Sequence, residues 1–189
     1  MTYCTKMIEN PNSSAKMKSL AEATIEYCTA SQIYFEYGDY ENLTVSSAVT
    51  DVQLSDLEQY KAQFLVDTLP AGVTRRTISA VIESDNSLRL NFYYDEGIDP
   101  DDYTYTIDSV EAEVEKLSDR AYLEISNVAS NLLGDTHTMT ISDGDVTYTV
   151  MCSVLTYARA SVANGNETRQ NLGKAMYVYN QAAIGYFGE

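Results

Sequence analysis

Two helical segments 152 positions apart carry the same side chains in register, and this duplication constrains the fold more than any other feature of the chain. Tyr27, Ala30, Tyr34 and Phe35 answer Tyr179, Ala182, Tyr186 and Phe187, and Leu20 and Ala23 answer Leu172 and Ala175. Allowing a two-residue difference in the connecting turn, Tyr3 and Asn10 answer Tyr157 and Asn164. An αα-hairpin is therefore expected at each end of the chain. A single amphipathic hairpin leaves its apolar face wet, so the two copies are expected to pack together as a pseudo-symmetric helical layer.

Local signals place the elements. Residues 2–9 read as a short helix ended by Asn10-Pro11-Asn12, because proline cannot continue one. Ser13 or Ser14 can cap the next helix, in which Met17, Leu20, Ala21, Thr24, Cys28, Ser31 and Phe35 keep a 3.6-residue spacing until Gly38. Ser55-Asp56-Leu57-Glu58 reads as a capping box opening a short helix to about Phe64. The period then drops to two: Ile78, Ala80 and Ile82, then Leu88, Leu90 and Phe92, with Ser84-Asp85-Asn86 as the turn between them. Tyr103–Ile107, 112–117 and 121–125 follow, and His137, Met139 and Ile141 lead through Asp143-Gly144 to Val146, Tyr148 and Val150. About seven strands with one apolar and one polar face imply an antiparallel sheet. Helices at 152–163 and 167–187 close the chain on either side of Gly165. The expected fold is α+β: a single domain over 1–189, with a helical hairpin at 1–38, a β-rich core at 50–151 and a second hairpin at 152–189.

Charge excludes some functions. With 28 acidic and 12 basic residues the chain carries −16, opposite to the footprint that nucleic acid or an anionic membrane requires. No apolar run is long enough to span a bilayer. The helical pattern starts at once with no signal peptide ahead of it, as expected of a module of a longer chain or of a cytosolic protein. Cys4 and Cys28 lie at unequal distances from the turn at Pro11, about nine residues or ~13 Å of helix rise apart, so no disulfide is expected. Buried thiols are expected instead, with the state of Cys152 left open.

The chemical motifs are sparse. Ser13-Ser14-Ala15-Lys16 fits S-x-x-K and Ser84-Asp85-Asn86 fits S-D-N, but the accompanying K-T-G is absent, and a helix cap and a β-turn explain both. His137 is the only histidine and shares a strand face with Met139 and Ile141, so a half-buried residue at a sheet edge is expected. Asp95 to Asp102 is a dense acidic loop without the EF-hand pattern, and no spacing suits zinc. No catalytic residue, metal site or cofactor is expected. Tyrosine stands out, with 16 copies and no tryptophan. Tyr27, Tyr34, Tyr148, Tyr179 and Tyr186 fall at core spacing. Tyr37, Tyr40, Tyr93 and Tyr122 fall in loops or on the polar strand phase, which makes them the candidate ligand-binding residues, beside a threonine-rich sheet face.

Tyr27-x-x-Ala30-x-Gln32-x-Tyr34-Phe35-x-Tyr37 with Asn42-Leu43, and Lys174 to Ala183 closing on Tyr186-Phe187-Gly188, resemble the terminal helices of a module recurring in large secreted proteins of clostridial gut bacteria. Cys28 and Glu36 stand where that module would have glycine. The resemblance implies a secreted or cell-surface setting beside other modules of the same chain, and it implies no activity. The function expected is a non-catalytic binding or adhesion module whose partner is a host protein, for instance an immunoglobulin, or a glycan. The rivals are a structural spacer and, as a distant third, a hydrolase acting through acidic residues.

Overall fold

The structure, a computed structural model, describes residues 2–82 and 86–188. It divides into two compact units. The helical unit gathers both ends of the chain, Met1–Tyr60 and Ala158–Glu189, with the segment Ser130–Gly134. The β unit comprises Lys61–Ala129 and Asp135–Tyr157.

The helices are α1 (Thr2–Glu9), α2 (Ala15–Tyr34), the single turn α3 (Ser47–Thr50), α4 (Val154–Asn164) and α5 (Glu167–Phe187). The duplication is visible in their caps. The Ser14 hydroxyl accepts from the Met17 N–H at 3.2 Å to open α2, and the Asn166 side chain accepts from the Arg169 N–H at 3.1 Å to open α5. α2 and α5 run antiparallel, since Ala15 and Ser19 line one groove with Ala182 and Gly185. Midway along them the rings of Tyr27 and Tyr179 stack at 5.4 Å with planes 10° apart. These two residues are counterparts in the duplication, so their contact marks a local two-fold axis. Ala23, Ala30, Ala175 and Ala183 are buried, as close approach of two helices requires.

The symmetry has limits, each with a physical cause. Phe35 does not join the apolar seam: it and its counterpart Phe187 stay 63% and 54% exposed. Each instead turns edge-on to the preceding tyrosine, Tyr34 or Tyr186, at 4.9 and 4.8 Å. Tyr34 and Tyr186, expected in the core, are only half-buried there. Cys28 is exposed and Cys4 half-buried, contrary to the buried thiols expected, whereas Cys152 is buried and all three are free. Asn180, the counterpart of Cys28, is fully buried and donates to the Ser130 carbonyl at 2.8 Å. The segment 130–134 covers that face of α5 and leaves the matching face of α2 open. Glu36, where the resemblance calls for glycine, adopts a left-handed φ of 52° beyond the end of α2. The Tyr37 N–H there closes on the Gln32 carbonyl at 2.9 Å, the six-residue loop that normally selects glycine.

The helix expected from Ser55 to Phe64 is instead a 3-10 helix, Leu54–Tyr60, and Phe64 lies in a strand. The strands are β1 (Gln63–Val66), β2 (Val73–Ile82), β3 (Asn86–Tyr94), β4 (Thr104–Ile107), β5 (Val110–Glu111), β6 (Glu115–Lys116), β7 (Ala121–Ile125), β8 (His137–Ser142) and β9 (Thr147–Cys152). They form two antiparallel sheets, ordered β1-β9-β8-β4-β5 and β2-β3-β7-β6. The α+β class holds. The extra strands are β1 and β5, and of the strand expected at 112–117 only Glu115–Lys116 forms one, as β6. In the expected turn at Ser84-Asp85-Asn86, Ser84 and Asp85 lie outside the described residues, and Ile82 pairs with Asn86 across it.

The sheets meet through their apolar faces. Leu88, Leu90, Phe92, Ala121 and Leu123 from one, and Met139, Ile141, Tyr148 and Val150 from the other, are fully buried. Phe92 joins the layers, with its ring 6.1 Å from Tyr105 and 6.3 Å from Tyr148. At one end Tyr105 donates to the Pro100 carbonyl at 2.8 Å, so Tyr94, 2.8 Å away, must donate to Tyr105. Burial pushes the Tyr105 phenol up to about 12 and Tyr94 higher still, keeping both protonated as donors.

The helix seam yields paired predictions. A Cβ at Gly173 would lie 2.6 Å from the Ala158 carbonyl, whereas at Gly185 it would meet nothing within 4 Å. Gly185→Ala should raise stability by up to about 1 kcal/mol from helix propensity, and Gly173→Ala should lower it despite the same propensity gain. Glu36→Gly should stabilise by about 0.5–1 kcal/mol, the left-handed strain relieved less the added freedom of the unfolded chain. Urea unfolding midpoints decide all three.

Candidate functional site

On the outer face of the four-stranded sheet the alternating polar residues of three strands come into rows. Arg75 of β2 pairs with Tyr93 of β3, Thr77 with Asn91, and Ser79 with Arg89. Across the next ladder Asn91 pairs with Tyr122 of β7 and Arg89 with Glu124. Arg120, one residue before β7, completes the first row beside Tyr93. Alternation forces this arrangement: the neighbours Leu88, Leu90, Phe92, Ala121 and Leu123 take the buried face, so every second side chain points outward.

The rows interlock. The Arg75 guanidinium sits 3.8 Å from the centre of the Tyr93 ring, and Arg120 approaches the same ring at 6.0 Å. Arg89 lies 4.5 Å over Tyr122 and pairs with Glu124 at 3.1 Å. Each exposed cation–π contact contributes about 0.5–1 kcal/mol, enough to hold a side chain in place rather than to hold the fold. At the centre Asn91 is nearly buried. Its amide donates to the Thr77 carbonyl and the Ser79 hydroxyl at 3.2 and 3.0 Å, and its oxygen accepts from Arg120 Nε at 3.3 Å. Arg120 also pairs with Asp119 at 2.9 Å. Among the described residues Arg75 has no carboxylate partner.

Of the candidate tyrosines, Tyr93 and Tyr122 therefore share this face, half-buried under guanidinium groups. Tyr37, 72% exposed, and Tyr40, half-buried, follow α2 in the helical unit. The threonine-rich face is not beside the tyrosine pair as expected. Thr104, Thr106, Thr138, Thr140 and Thr149 line the outer face of the other sheet, where the Thr106 and Thr140 hydroxyls bond at 2.7 Å. The split into two sheets separates the two surfaces. Sequence reading missed Arg75, Arg89, Arg120 and Asn91. The polar phases Arg75-x-Thr77-x-Ser79 and Arg89-x-Asn91-x-Tyr93 are their only local signature.

Other groups with chemical potential are committed elsewhere. His137 is half-buried, and its Nδ1 bonds Asp108 at 2.7 Å. The second Asp108 oxygen accepts from the Thr138 N–H at 2.8 Å. Cys152 stands opposite His137 in the β8–β9 ladder, but burial pushes its thiol up to about 12, so it stays protonated. In the acidic loop Asp99 and Asp101 both turn onto Lys116. Among the described residues no group of three or more His, Cys, Asp or Glu is placed to hold a metal ion, and no helix is long and apolar enough to cross a membrane. In the helical unit Glu22 and Glu26 line an open groove of about 530 Å³ between α2 and α5. Glu26 accepts the Ser46 N–H at 2.9 Å and so fixes the loop ahead of α3.

No protein family, curated protein or solved structure matches the chain.

The Asp108 turn gives a pH prediction. Burial works against the carboxylate, but its hydrogen bonds from His137 and Thr138 outweigh that and hold its pKa below the usual carboxylate range. A depressed folded pKa adds stability that is complete above the unfolded value of about 3.9 and is lost as pH falls through the folded one. Asp108 has a left-handed φ of 50°, a conformation asparagine tolerates. Asp108→Asn should therefore destabilise by no more than about 1 kcal/mol near neutral pH, because the pair is half exposed. Thermal melts of the two proteins should converge below about pH 4.

Proposed function

We propose that the chain is a non-catalytic binding module of a modular extracellular protein and that its ligand lies across the arginine–tyrosine face. One observation carries this reading. Tyr93 and Tyr122 lie on a single sheet face, already fixed by Arg75, Arg120 and Arg89. A surface fixed before binding avoids the ordering cost that a flexible loop would incur. Tyrosine and arginine are also the side chains that most often dominate binding energy. The partner is a host protein, such as an immunoglobulin, or a glycan. The extracellular, surface-attached setting rests on the resemblance of the terminal helices to secreted modules.

The spacer reading has its own support. Both chain ends belong to the helical unit, so neighbouring modules would attach to one body. Under that reading the face would bind nothing.

The test is a screen of the isolated chain against glycan arrays and mucosal host proteins, including immunoglobulins. A true ligand should bind about tenfold or more weakly after Tyr93→Ala or Tyr122→Ala. Tyr37→Ala, in the other unit, should leave binding unchanged. A ligand indifferent to both sheet tyrosines moves the site elsewhere, and no ligand at all leaves the spacer.

A further inference from the structure

We infer that the ligand of this face is a carbohydrate bearing isolated carboxylates, with one carboxylate seated on Arg75 beside Tyr93; this rests on the face being the binding surface. The tyrosine rings are not bare platforms. Arg75 covers Tyr93 at 3.8 Å and Arg89 covers Tyr122 at 4.5 Å, so the face presents guanidinium N–H donors where a stacking site would present rings. Such a surface selects for charge and hydrogen bonding, not for a sugar's apolar side.

The three arginines differ in how far they are compensated. Arg89 pairs with Glu124 and Arg120 with Asp119, whereas Arg75, exposed and stacked, has no carboxylate partner among the described residues. Uncompensated positive charge thus gathers at the Arg75 corner of a chain that carries −16 overall. A guanidinium fork fits a planar carboxylate through two parallel hydrogen bonds, and the ring beneath holds the fork ready.

The overall charge limits the ligand. Screening confines the pull of Arg75 to about 8 Å at physiological salt, within which a carboxylate meets Arg75 unopposed and Arg120 already paired with Asp119. A densely sulfated or phosphorylated polymer would extend from Arg75 across the rows onto Glu115, exposed and paired with Tyr122 on the same face, and be repelled. The position limits it further. The site starts at Arg75 on the edge strand β2 and runs across the outer face to β7, so an extended acidic peptide laid along that edge is the competing ligand that the poly-glutamate arm tests. Arg75 and Arg120 flank Tyr93 across about 10 Å, two inter-strand spacings, which is the reach of a disaccharide.

The experiment measures dissociation constants of the whole chain for matched oligosaccharides: sialylated or uronic acid-bearing, the same as methyl esters, and their neutral parents. Heparin and a poly-glutamate peptide run in parallel. Carboxylated sugars should bind about tenfold or more tightly than the esters and neutral parents. Arg75→Gln should remove that margin while lowering the melting temperature by no more than about 4 °C, the loss of one exposed cation–π contact. Arg75→Lys should restore it only in part, because a point charge cannot make the paired hydrogen bonds. Equal binding of neutral sugars, preference for heparin or the acidic peptide, or carboxylate binding untouched by Arg75→Gln would each overturn the inference. Neutral-sugar binding lost in Tyr93→Ala would still leave the binding-module reading standing, whereas silence in every arm and in the host-protein screen would remove both.

Discussion

Gln63 pairs with Met151 and Phe64 with Val150, so the first and last strands of the β unit lie side by side. The chain therefore enters and leaves that unit at neighbouring points. Without this ladder, bringing Tyr27 to Tyr179 would mean closing a loop of 152 residues, at about 4–5 kcal/mol plus a constant. A single aromatic stack recovers only about 0.5–1.5 kcal/mol beyond its buried area. With β1 on β9 the path from Tyr27 to Tyr179 shortens to the 36 residues up to Gln63 and the 28 from Met151, which lowers the closure cost by about 0.8 kcal/mol. A four-residue strand thus offsets part of the cost of bringing the two ends of the chain together.

Within the helical unit, like sequences meet unlike neighbours. The caps at Ser14 and Asn166, the Tyr27–Tyr179 stack and the edge-on pairs Tyr34–Phe35 and Tyr186–Phe187 repeat across the local axis. Divergence appears where one copy is covered and the other is not. The segment 130–134 lies on α5, and there Asn180 replaces Cys28, a buried amide with a carbonyl partner in place of an exposed thiol. Gly173 replaces Ala21 where the Ala158 carbonyl leaves no room for a methyl group. Each substitution follows the local space and polarity, as close packing demands.

The sheet face shows how a strongly acidic chain keeps a small cationic site. Glu124 and Asp119 offset two of the three arginines, the tyrosine rings fix their planes, and Asn91 ties Arg120 to the ladder beneath. The remaining charge is local, and at physiological screening the distant carboxylates do little to cancel it.

Local chemistry alone determined the helices and most strands. Ser14 and Asn166 as caps, the stop at Pro11, the two-residue alternation from Ile78 to Phe92 and the hairpin through Asp143-Gly144 all depend on neighbours within a few residues. The duplicated Tyr and Ala pattern also signalled that the terminal helices pack together. Only the tertiary structure decided what depends on partners far along the chain. It drew Gln63–Val66 out of a helical pattern into pairing with β9, and it divided the strands between two sheets. It also set the threonine face apart from the tyrosine face. The candidate site divides the same way. Tyr93 and Tyr122 were legible as polar-phase aromatics, whereas the gathering of Arg75, Arg89 and Arg120 around them depends on the β2–β3–β7 register. That register is set by burying Leu88, Leu90, Phe92 and Leu123, because a one-residue slip would turn the whole apolar set to water.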